Sequence, residues 1–181
     1  MNSTCPDGNR DLIEAVLETL RQGEGLLAGL LDETYARKLP IAFNASIGGH
    51  YRHCLDHFRS LLDAAAGGDL NYDHRERGTP VENDRFAALN ATRELLEGYA
   101  RLDPVLLSRP LAITCKTSCA TTGSQVSGST VGREIMYSVA HAVHHYALIG
   151  IMAGVLEVKL PPDFGVAPST LKHHMETAQA A

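Results

Sequence analysis

The sequence predicts an all-α protein: one domain over residues 1–181, a four-helix bundle with a long extended or hairpin crossover between the third and fourth helices. Three observations predict it. Four stretches carry apolar residues at helical spacing. Residues 105–130 alone switch to a two-residue alternation. And 181 residues with 44% hydrophobic content suit a single core.

The first predicted helix spans about 9–35, where Leu12, Ile13, Val16, Leu17, Leu20, Leu27, Leu30 and Leu31 form one apolar face. Gly23 and Gly25 weaken its middle. The second starts near Asn44 or Ser46, either of which can cap it, and ends at Gly67-Gly68. Its apolar arc holds Ile47, Tyr51, Cys54, Leu55, Phe58, Leu61 and Leu62. Thr79-Pro80-Val81-Glu82 reads as the third helix start, with Thr as N-cap, Pro at N1 and Glu at N3. That helix runs to about Ala100. Leu111, Ile113 and Cys115 then alternate with Ala112, Thr114 and Lys116, the pattern of a short hairpin or an extended crossover. Ser129 or Thr130 caps the fourth helix, about 131–156. From about 160 the chain is too rich in proline for helix. It is expected to cross the bundle as an ordered loop anchored by Phe164 and Val166, with His173 and His174 exposed near the end.

Composition excludes several roles. The net charge is −5, and Lys and Arg are dispersed, which argues against nucleic acid as a partner. No uninterrupted apolar run reaches membrane-spanning length, and the N-terminal residues lack a secretory pattern, so no membrane partner and a cytoplasmic location are expected. The four cysteines, Cys5, Cys54, Cys115 and Cys119, are scattered and fit a reducing compartment. Apolar helices of this kind also lead us to expect a homodimer.

Three of the nine histidines fall in the fourth helix. His141 and His145, four residues apart, point within about 40° of each other on a helix, while His144 points away. Glu134, Ser138 and Met152 extend their stripe. Buried imidazoles need polar partners. A divalent ion shared by the pair satisfies that need, and so does a pair of hydrogen-bonded core histidines; the spacing admits both. A metal needs a third ligand, and His50, His53 and His57 on the second helix are the candidates. His50 is preferred because it adjoins Gly48-Gly49 near the helix start, which leaves His53 either supporting a metal ligand from behind or facing substrate. No Glu-x-x-His and no His-Glu-x-x-His occurs, which excludes the di-iron bundle and zincin patterns.

The segments Ile47-Gly48-Gly49-His50-Tyr51-Arg52-His53 and His141-Ala142-Val143-His144-His145-Tyr146-Ala147-Leu148-Ile149 resemble the DinB/YfiT-like superfamily of metal-binding four-helix bundles. So do the loop Tyr72-Asp73-His74-Arg75-Glu76-Arg77-Gly78 and the closing segment from Leu160 to Thr170. The resemblance implies a zinc or nickel site made by His50, His141 and His145. It also implies a thiol-dependent isomerase or S-transferase, with a low-molecular-weight thiol as co-substrate for a small-molecule acceptor. Where much of that family has Arg-Gly-Gln after the last histidine, this chain has Tyr146-Ala147-Leu148, so no role for that arginine carries over. In such a site Arg75 or Arg77 would orient a substrate carboxylate, and His53 or Glu134 would assist proton transfer. The competing expectation is a non-catalytic helical bundle.

Overall fold

Ser46 shows how the local sequence places the functional side chains. Its hydroxyl accepts the Gly49 N–H at 3.0 Å and starts the helix that carries His50, His53 and His57. The computed structural model describes residues 6–73, 78–120 and 122–179. Among them are six α-helices: α1 (Pro6–Gly29), α2 (Asp32–Ala36), α3 (Ile47–Ala66), α4 (Arg85–Ala100), α5 (Val131–Val155) and α6 (Pro168–Gln179). Three strands, β1 (Leu70–Asn71), β2 (Pro110–Cys115) and β3 (Gln125–Thr130), make a mixed sheet in the order β1-β2-β3.

The all-α expectation is therefore corrected to a helical core with a small mixed sheet. The two-residue alternation is realised as an antiparallel β2–β3 hairpin with Leu111 opposite Ser129 and Ile113 opposite Ser127. The short strand β1, which no periodicity marks, pairs parallel to β2 through Leu70 and Ile113. Two residues with no periodicity are too few to read as a strand. The turn that delivers them uses Gly67 and Gly68 at φ 148° and 146°, where a Cβ is disfavoured.

Other boundaries moved for identifiable reasons. The long first helix breaks at Leu31, which is extended at φ −84°, ψ 151° and 66% exposed. The break lets Leu30 and Tyr35 both enter the core, and the Tyr35 hydroxyl donates to the Val81 carbonyl at 2.7 Å. Gly23 does not weaken α1 idly, because a side chain there would collide with the rings of Tyr51 and Tyr146. The expected Thr79 cap makes no side-chain bond. Residues Pro80–Glu82 form a 3₁₀ turn, and α4 starts three residues later, where the Asp84 carboxylate accepts the N–H groups of Phe86 and Ala87. The tail is helical from Pro168, which sits at a first helical position where its missing N–H costs nothing. Phe164 does anchor it, stacking on Tyr146 with centroids 5.0 Å apart.

The core lies between α1, α3, α4 and α5. Four fully buried tyrosines cross it, and each hydroxyl is bonded: Tyr35 as above, Tyr51 with Thr92, Tyr99 to the Phe58 carbonyl and Tyr146 to the Thr19 carbonyl. The helix α5 is long and apolar enough to cross a membrane by length and composition, with an 18-residue window of mean hydropathy 1.2. One face of it, through Ile135, Ala142, Tyr146 and Ile149, is core.

Candidate metal and ligand-binding site

Helices α3 and α5 pack side by side. On α3 the spacing of His50, His53 and His57 puts all three along one edge. On α5, His141 and His145 are one turn apart and face them. The result is a seam of imidazoles: His50 Nδ1 lies 2.8 Å from His145 Nδ1, and His53 Nε2 lies 2.9 Å from His141 Nε2. The donor atoms of His53, His141 and His145 all fall within 4.8 Å of one another. His57, 5% exposed, closes the inner end, with its ring 4.4 Å from that of His141 and 4.7 Å from that of His53. His144 is on the outer side of α5, as its helical direction requires, and His173 and His174 are exposed on α6.

Thus His141 and His145 converge with the second long helix, as the spacing implies. The geometry groups His53 with that pair, while His50 touches the group through His145. Gly48 permits the arrangement, because any side chain there would strike the Glu82 carbonyl and the Tyr35 ring.

Electrostatics favour the neutral form of His145 and of His50. Burial pushes the His145 imidazole down to about 4, with His141, His50 and His144 adding to the effect. His50 is lowered too, by burial first and then by His144. Neutral imidazoles keep a lone pair for a ligand or for a neighbouring N–H.

The remaining expected residues separate from this cluster. Glu134 is 1% exposed, and its carboxylate accepts from Tyr72 Oη at 2.8 Å, Ser129 Oγ at 2.7 Å and Arg133 at 2.9 Å. It is linked to the histidines through Tyr72, whose ring stacks on His57 with centroids 4.6 Å apart. Burial raises the Tyr72 phenol, which stays protonated and donates to Glu134. Arg75 and Arg77 lie outside the described residues. Tyr72 has no signature in the sequence, because it sits in a polar loop without periodicity and follows directly on strand β1. Cys54 is buried and Cys119 exposed, and the Cys115 thiol contacts the Lys116 carbonyl at 3.8 Å.

Two hollows open onto the seam. One is apolar, about 370 Å³, lined by Ile41, Phe43, Leu148, Ile151, Met152 and Val155 among others, with His50 in its wall. The other is polar, about 350 Å³, and has Lys38, Arg52 and Glu82 beside His50, His53 and His145. Arg52 is held there by Asp56 at 2.6 Å and Glu82 at 3.6 Å.

No family model and no solved structure matches the chain. Among curated proteins, the chain is 36% identical over 104 residues to FK506-binding protein 5 of Rhizopus delemar. That alignment takes in 58% of this chain and 27% of the relative, so the chain spans about a quarter of that protein's length. This finding overturns the resemblance to the DinB/YfiT-like superfamily. The metal-dependent, thiol-using S-transferase or isomerase that the resemblance implied falls with it. The three-histidine group does not restore that reading, since close imidazoles do not by themselves define a metal enzyme.

Proposed function

We propose that this protein binds a small organic ligand in the apolar hollow, beside an imidazole cluster that holds one divalent ion. The observation that carries the proposal is the convergence of three donor atoms from two helices within 4.8 Å. Tetrahedral zinc with Zn–N of about 2.0–2.1 Å needs its ligand atoms about 3.3 Å apart. The three donor atoms, within 4.8 Å of one another, would have to draw together to that spacing around an ion. An all-imidazole set suits zinc or nickel better than magnesium or calcium. An ion held by these residues would supply a Lewis-acidic position beside the polar hollow, which His53 and His145 line. His50, bonded to His145, orients that ring from outside the group of three. The apolar hollow takes the body of the ligand, as such sites ordinarily do. Calorimetric titration of zinc and of nickel into the untagged, chelator-treated chain tests this. One site per chain, weakened at least about 100-fold in His53→Ala, supports it; no saturable binding in the unaltered chain contradicts it.

A second reading rests on the similarity to FK506-binding protein 5. By its name that relative binds FK506, and FK506 is accordingly a probe for the apolar hollow here. Under this reading the chain contributes to a peptidyl-prolyl isomerase, and the hollow receives an apolar residue next to proline. A prolyl-isomerisation assay on a short peptide, with and without FK506, decides it. FK506-sensitive turnover, lost in Met152→Asp, supports it. A rate equal to the uncatalysed background, without FK506 binding, rules it out.

A further inference from the structure

The outer face of α5 has no covering element among the described residues. Met136, Ala140, His144, Ala147, Ile151 and Gly154 are all exposed on it, and they recur every three or four residues, so they form one straight stripe. The stripe is ~27 Å long by the 1.5 Å rise per residue. Its large members are well exposed, Met136 at 60% and Ile151 at 66%. A Cβ built at Gly154 would meet nothing within 4 Å. Soluble monomers rarely leave an apolar band this long in water.

We propose that a second copy of the chain covers this face, α5 against α5, in an antiparallel two-fold pair centred between Val143 and His144. The residue pattern is what identifies the occupant. About that centre, position 136 falls opposite 151, 140 opposite 147, and 143 opposite 144. Each bulky end residue thus meets a bulky residue of the other copy, and alanine meets alanine in the middle. Small residues there let two helix axes approach to about 8–10 Å. The charges agree: the stripe is uncharged between Arg133 at one end and Glu157 beyond the other. In the antiparallel pair these two ends come together with opposite sign, whereas a parallel pair would set like charges side by side. A two-fold pair of this kind is self-complementary by construction. Ile151 and Val155 also form the rim of the apolar hollow, so the second copy completes the outer wall of the ligand site.

Sedimentation equilibrium of the full chain, compared with Ala140→Glu and Ala147→Glu, tests the proposal. Both alanines are exposed on the free chain, so neither change should disturb folding, and circular dichroism checks that. The unaltered chain is expected at twice the 19.5 kDa chain mass. Each variant is expected to be a helical monomer, and Phe86→Glu, on α4 away from the stripe, to remain a dimer. A monomeric unaltered chain overturns the proposal. So does a dimer that both glutamates leave intact. Flotation with zwitterionic phospholipid vesicles separates the other occupant: a monomer that floats would assign the stripe to a membrane.

Discussion

Two polar clusters sit on α5, two turns apart, and they are built on opposite principles. At Glu134 a buried carboxylate meets three unlike partners, and each bond runs from donor to acceptor: Tyr72, Ser129 and Arg133. At His141 and His145 the neighbours are of the same kind, with rings of α5 facing rings of α3 at 2.8 and 2.9 Å between nitrogens. The first arrangement is complete, and its chemistry is spent on holding β3, the 72-loop and α5 together. In the second, which nitrogen donates and which accepts depends on the tautomer of each ring, and three of the donor atoms lie within 4.8 Å of one another. Burial alone does not mark a site; what marks it is whether polar groups are matched by complements or crowded by equals.

This contrast can be broken in several places. The largest expected effect is on stability: Glu134→Leu leaves the Tyr72 and Ser129 hydroxyls without their acceptor, which costs about 3 kcal/mol or more. Urea denaturation should show it as a shift of midpoint at unchanged slope. His53→Ala should act in the reverse sense, weakening zinc binding about 100-fold while moving the urea midpoint of the metal-free chain far less.

A pH effect comes next. His145 is lowered in the folded chain to about 4, against an ordinary value near 6.5. As pH falls below 6.5 the unfolded chain takes up the proton first, so stability is fully present above 6.5 and declines toward pH 4. The groups facing His145 are His50 and His53 from α3 and His141 and His144 from its own helix; burial lowers it first, and His141, His50 and His144 add to that. Thermal melts of the metal-free chain between pH 4 and 7 should follow that slope, and His145→Gln should flatten it. The smallest effect is Ser46→Ala, which removes the cap of α3 and should cost about 1 kcal/mol.

Much of the helical framework was legible in the chain because burial imposes period. The arc of Ile47, Tyr51, Phe58 and Leu61 and the pair His141/His145 are read directly from spacing. What escaped was set by partners distant in sequence. Leu31 leaves the helix because Tyr35 must reach Val81. Leu70 becomes a strand because β2 lies beside it. Asp84 outcompetes Thr79 as a cap because the 3₁₀ turn at Pro80–Glu82 carries the chain past Thr79 before α4 begins. His53 and His50 both lie on the correct edge of α3. Which of them stands closer to His141 depends on the axial offset of two helices, and neither helix encodes that offset alone. The family resemblance drawn from the short histidine segments failed for a related reason: a few residues at helical spacing recur wherever two helices share a polar seam.

The most direct measurement is zinc content after equilibrium dialysis of three chains side by side: unaltered, His141→Ala and Glu134→Gln. The account predicts one ion per chain in the first and third and none in the second. Equal content in all three, or no retained zinc in any, would contradict it.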